Sequence, residues 1–180
     1  MKRLFKLFLY AFVIMICFTG CAKENSVAEE NNKTITIIQV NVEKDSGETY
    51  TERRISKASS VEGKKINSIG DSFFIEATND VYYNLKEYLG KAISIQGYVD
   101  QYIGQNGDVC YAVVRNTPGC CGADGLAGLD IRCAGEYPNT GLWVEATGIV
   151  ETDPYSRENY PVIFVSEIKE TEITVPFVTN

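Results

Sequence analysis

The sequence predicts a mainly β domain (α+β) built around a small barrel, and three observations carry that expectation. Five short β-leaning segments follow one another at regular spacing from Ala92 onward, clusters of Gly, Pro, Asn and Asp separate them, and a single amphipathic stretch precedes them. The segments are Ala92 to Tyr102, Val109 to Arg115, Leu126 to Cys133, Leu142 to Val150 and Val162 to Ile168. The intervening turns are Gly104-Gln105-Asn106-Gly107, the Pro118-Gly119 region, Gly135 to Gly141 and Thr152 to Pro161. With Gly97 and Gly148 placed where a strand bends, this is the pattern of a closed or nearly closed five-stranded barrel of the OB type, a sandwich being the alternative.

Ahead of the strands, Phe74, Ala77, Val81, Leu85 and Tyr88 recur at helical spacing, so residues 73 to 88 are expected to form a helix. Gly90 then supplies a left-handed stop. Further upstream, Ile35, Ile37, Val40 and Val42 alternate before Asp45-Ser46-Gly47, and a second polar stretch runs through Tyr50 and Ile55. That is a short N-terminal β hairpin, joined to the rest by the connector Ala58 to Lys65.

The N-terminal 20 residues have the layout of an export signal. Met1 to Lys6 is basic, Leu7 to Phe18 is almost wholly apolar, and Thr19-Gly20 leads to Cys21. Twelve apolar residues rise only about 18 Å as a helix, short of the roughly 30 Å of a hydrocarbon core. The Phe-Thr-Gly-Cys ending resembles a bacterial lipobox, which implies cleavage before Cys21, its lipidation, and anchoring on the extracytoplasmic face of the cell membrane. Residues 21 to 33 are polar and aperiodic, a flexible tether. The expected organisation is therefore signal 1–20, tether 21–33, N-terminal β element and connector 34–65, barrel domain 66–170 and tail 171–180.

Composition narrows the functional classes. The net charge is −7, and without Lys2, Arg3 and Lys6 the remainder stands at −10. Such a surface repels polyphosphate backbones, so no nucleic-acid partner is expected. There is no histidine, which removes Ser-His-Asp and Cys-His catalysis and the commonest metal ligand. Chemistry is left to Cys110, Cys120, Cys121 and Cys133, four cysteines within 24 residues. Three readings stand side by side: two disulfides, a soft-metal site for Zn or Cu(I) or a trivalent metalloid with Asp124 as an accessory ligand, and a redox thiol whose pKa is lowered by Arg115 or a helix terminus. Strand phase turns Cys133 toward the core with Leu129 and Ile131. The run Gly119 to Gly128 lacks the Gly-Lys-Ser/Thr ending of a phosphate loop. Trp143 and the tyrosines read as core and rim packing, with a peptide or saccharide groove as the functional alternative, and Asp153 and Glu158 read as a solvated loop.

These residues also carry a resemblance. Tyr88-Leu89-Gly90-Lys91, Ile95-Gln96-Gly97-Tyr98-Val99, Arg115, Cys120-Cys121-x-x-Asp124, Gly128-Leu129, and Trp143-Val144 with Gly148 make the stretch from about Ile66 to Ile168 similar to the C-terminal extracytoplasmic domain of YcgQ-type permease-associated proteins. The resemblance implies an OB-like domain and a role beside a transporter, with a metal or metalloid as cargo; the protein is expected to be a binding or accessory module rather than an enzyme. Two departures are visible: a lipid anchor replaces transmembrane helices, and Cys110 and Cys133 are additional.

Overall fold

The computed structural model describes residues 35–43, 47–119, 122–154 and 160–173. The expected signal, Cys21, the tether, most of the C-terminal tail, and Cys120 and Cys121 lie outside them. The chain divides into units at Met1–Lys33 and Thr34–Asn180, at the expected end of the tether. No helix among the described residues is long and apolar enough to cross a membrane.

The mainly β class holds, with more strands than the sequence predicted. Eight strands and two short helices follow in the order β1 (Ile37–Glu43), β2 (Thr49–Ile55), β3 (Ile66–Ile69), α1 (Phe74–Tyr83), α2 (Leu85–Tyr88), β4 (Ala92–Ile103), β5 (Asp108–Gly119), β6 (Gly122–Arg132), β7 (Trp143–Thr152) and β8 (Pro161–Glu170). β4 pairs antiparallel with β5 and β5 with β6, β6 runs parallel to β8, β8 pairs with β7, and β7 returns to β4. The five predicted strands thus make a closed circuit, and β1, β2 and β3 are added to it. The β1–β2 hairpin is antiparallel throughout, from Ile37 opposite Ile55 to Glu43 opposite Thr49.

Closure requires β4 to serve two partners. Ala92 to Tyr98 pair with β7, and Tyr98 to Ile103 pair with β5. The changeover falls at Gly97, where a β-carbon would meet the Val114 carbonyl oxygen and lie 3.1 Å from Val113 Cγ1. Gly128 and Gly148 sit at equally close approaches, to Val113–Val114 and to Phe164. Inside the circuit, Ile93, Ile95, Val99, Val113, Leu129, Ile131, Val144 and Ile163 form the main core. A second, smaller cluster of Ile55, Val162 and Phe164 lies under the hairpin, with Ile35 and Ile37 half-buried against it.

Several boundaries differ from expectation for visible reasons. Pro118 does not end β5: the register shifts between Thr117 and Gly119, and the proline occupies that irregularity with its side chain exposed. The predicted helix is interrupted at Asn84, whose ψ of 32° leaves the helical range. Thr78 rather than Ala77 is its fully buried middle residue, its hydroxyl donating to the Phe74 and Ile75 carbonyls. β3 is not among the expected elements: it begins directly after the expected connector and runs parallel to the first residues of β4. Gly90 has φ +72° as expected at the end of the helical segment.

Gly97→Ala is expected to lower the unfolding free energy by about 1–3 kcal/mol, since overpacking here is against backbone that closes the barrel. Urea unfolding checks it; an unchanged midpoint would mean that β4 bends elsewhere.

Candidate functional site

Tyr111 lies opposite Ile131 in the β5–β6 register, so Cys110 falls opposite Arg132. Alternation then separates the two described cysteines. Cys133 joins Tyr111, Val113, Leu129 and Ile131 in the core, as its strand phase predicted. Cys110 faces the other way, into a cavity it shares with Asp130 and Arg132. Both are buried, free thiols. Nine residues of strand, roughly 30 Å at the usual rise, separate Cys110 from Gly119, which pairs with Gly122 on either side of Cys120 and Cys121. Cys110 and Cys133 stand on opposite faces of the β5–β6 hairpin, and the structure does not bring them to one site; Cys120 and Cys121 lie outside the described residues. Among the described residues no group of three or more Cys, Asp or Glu is arranged to hold a metal ion. Asp124 belongs to β6.

Burial pushes the Cys133 thiol up to about 12, with the Glu52 charge adding and Arg54 and Arg132 opposing. Burial also raises Cys110, against the pull of Arg132 and Arg53. Neither environment favours the thiolate that a redox nucleophile needs.

Arg115 does not stand beside either described thiol. It is wholly buried at the end of the core. Its Nε donates to the Gln96 carbonyl at 2.7 Å, its Nη1 to Asp71 Oδ1 at 2.6 Å, and its guanidinium lies 4.5 Å from the Phe74 ring and 5.3 Å from the Trp143 ring. This fastens the start of α1 to the barrel, with the rings taking the flat faces of the cation. Trp143 is buried, in keeping with a packing role.

A polar cavity opens on the opposite face of β5 and β6 and has a volume of about 150 Å³. Arg53 comes to it from β2, Tyr102 from β4, Asp108 and Cys110 from β5, Asp130 and Arg132 from β6, and Asp153 and Tyr160 from the two ends of the β7–β8 connection. Arg53 pairs with Asp108 and lies 3.7 Å from Asp153, and Arg132 Nη2 donates to Asp153 Oδ2 at 2.8 Å. Asp153 is thus a buried ion-pair partner and not a solvated loop residue. On the core side of the same junction, the Tyr111 hydroxyl donates to Glu52 Oε2 at 3.0 Å, and Tyr111 stacks on Tyr137 at 3.9 Å. The Tyr137 hydroxyl in turn donates to the Arg53 carbonyl at 2.6 Å. Buried charged residues of β2, a stretch that sequence marked only as polar, dock the hairpin.

The model of the DUF1980 C-terminal domain matches residues 42–178. The chain belongs to this family. No curated protein matches the chain. The DUF1980 C-terminal domain begins well before the Ile66 expected from sequence, and the fold shows why: β2 pairs parallel with β5 and its Arg53 is buried against Asp108, so the hairpin is part of the same unit.

At pH 8 in native buffer, iodoacetamide is expected to label Cys133 at a rate roughly a thousandfold below that of an ordinary thiol, since so little of it is thiolate. Cys110 is expected to be slowed as well, and both to react fully in urea. Peptide mass spectrometry resolves the two positions; native labelling as fast as in urea would contradict the burial described.

Proposed function

We propose that this protein is a membrane-anchored extracytoplasmic binding module, an accessory subunit beside a permease rather than an enzyme, which captures a soft metal ion or metalloid at the adjacent thiols of Cys120 and Cys121. The observation that carries the reading is the distribution of cysteines. Cys110 and Cys133 are buried on opposite faces of the β5–β6 hairpin, whereas Cys120 and Cys121 are consecutive in the sequence. Thiolates select Zn, Cu(I) and trivalent metalloids over hard cations.

Two ligands from one chain leave coordination positions open, whereas structural zinc sites are closed by four. An open site suits acceptance and hand-over of an ion to a partner. The basic, apolar and Thr-Gly-Cys run at the N-terminus supports lipidation at Cys21, which would hold the module at the membrane where a permease partner lies. The closed five-strand circuit supports an OB-like description of the barrel, a fold that binds ligands through its loops and outer strands. Membership of the DUF1980 C-terminal family fits the resemblance to permease-associated domains.

The reduced full chain in detergent should bind one equivalent of Zn²⁺, Cu(I) or arsenite in native mass spectrometry. Cys120→Ser with Cys121→Ser should weaken binding at least tenfold, and Cys110→Ser and Cys133→Ser should not. Full affinity in the double variant, or its loss in Cys110→Ser, would overturn the reading.

A further inference from the structure

The cavity on the outer face of β5 and β6 has an uneven charge balance. Among the described residues it is lined by three carboxylates and two guanidinium groups. Arg53 is paired with Asp108 and Arg132 with Asp153. Asp130 is the carboxylate left over: among the described residues it makes no ion pair, and its polar contacts are with the Tyr102 hydroxyl, 2.8 Å from Oδ1 and 2.7 Å from Oδ2. Asp130 is half-buried, and a carboxylate partly withdrawn from water without a cation beside it favours a cationic group that completes the site.

The surroundings of Asp130 indicate which kind of cation. Tyr102 and Tyr160 border the cavity, and Tyr82 of α1 meets Tyr160 edge to face with centroids 6.2 Å apart. All three rings remain 38–42% exposed, an unusual share of aromatic surface to leave around one acidic group. A hard metal ion needs several oxygen ligands, and the described residues offer no such group. An alkylated ammonium needs one negative charge and aromatic surface to replace its water, which is the composition found. A cavity of about 150 Å³ takes a benzene-sized guest in other proteins, and a trimethylammonium head is of that order.

We propose that Asp130, with Tyr82, Tyr102 and Tyr160, forms a binding site for a small alkylated ammonium ion, separate from the Cys120–Cys121 pair and independent of the reading given for it. The carboxylate supplies the charge and the tyrosines the apolar contact. The paired Arg53–Asp108 and Arg132–Asp153 groups form a floor without net charge.

The groups facing Asp130 are Tyr102 from β4, Cys110 from β5, Arg132 beside it on β6, Tyr82 from α1, and Asp153 from the β7–β8 connection. Burial raises the Asp130 carboxyl above its usual range, and Asp153 adds to this, while the Tyr102 hydrogen bond and Arg132 oppose. Only the carboxylate form attracts the cation, so affinity should increase with pH through a titration displaced above the usual carboxylate range.

The test is calorimetric titration of the full chain in dodecyl maltoside with choline, and with 3,3-dimethylbutan-1-ol, its uncharged isostere. Saturable choline binding is expected, at least tenfold weaker for the alcohol and for Asp130→Asn, and several-fold weaker for Tyr160→Leu. Should Asp130→Asn fail to fold, the pH profile of the wild type and Tyr160→Leu decide. A free solute is distinguished from a lipid headgroup by phosphatidylcholine vesicles: binding to vesicles without binding to choline assigns the same cation to a lipid. Equal affinity for the alcohol, an unchanged Asp130→Asn, a flat pH profile, or no binding of choline or vesicles by the folded protein would overturn the proposal.

Discussion

The fold depends on one strand being shared. β4 hydrogen-bonds β7 along its first half and β5 along its second, so a sheet that would otherwise have two free edges becomes a circuit. The bend is possible because Gly97 lets the Val114 backbone approach where any β-carbon would collide. Closure then determines the rest. It encloses the odd-numbered side chains of β4, β5 and β6 as one apolar core, and it places the even-numbered ones outside, where Cys110, Asp130 and Arg132 meet. It also leaves an end that Arg115 fills, held by Asp71, the Gln96 carbonyl and two aromatic rings.

Outside the circuit, charge does the work that apolar burial does within it. The hairpin touches the barrel through a small cluster around Ile55 and through buried Glu52 and Arg53. Desolvating Arg53, Arg132, Asp108 and Asp153 is expensive, and replacing such groups with apolar ones is often neutral or stabilising in other proteins. What ion pairs do that apolar contacts do not is define register, because each guanidinium must reach a particular carboxylate. Here they hold β2 alongside β5 over a parallel pairing of only Thr51 with Asp108 and Glu52 with Val109. The same pairs keep the walls of the cavity apart and polar.

The strands and the helix were legible because they obey local periodicities. Alternation located the five strands β4 to β8 to within a few residues, and the 3.6-residue repeat located as one helix the segment that Asn84 divides into α1 and α2. Elements without a local signal were not legible. β3 is four residues long with one buried side chain, and Pro118 looks like a terminator because its irregularity in β5 is defined by the partner strand. The cavity is harder still to read. Its residues run from Arg53 to Val162 and come from five strands, the β4–β5 turn and the β7–β8 connection, so no spacing along the chain connects them, and Asp153 and Arg53 carry the composition of ordinary surface positions. The cysteines teach the converse. Their nearness in sequence suggests a cluster, but an antiparallel hairpin brings together residues equidistant from its turn. Cys110 and Cys133, on adjoining cross-strand positions at the open end, fail to meet only because alternation turns one outward and the other inward.

That parity has a chemical consequence. A thiol in the core and a thiol in a polar cavity share a hairpin end, yet both are driven toward the neutral form, Cys133 by burial among apolar side chains and Cys110 by burial that outweighs two nearby guanidinium groups. The guanidinium charges fail to rescue the Cys110 thiolate because Asp108 and Asp153 already neutralise them and Asp130 acts in the opposite sense. The feature that makes the cavity a poor place for a thiolate, one carboxylate too many, is the feature that makes it a suitable place for a cation. The cation site proposed above therefore lies at the open end of the β5–β6 hairpin, where Cys110 stands opposite Arg132.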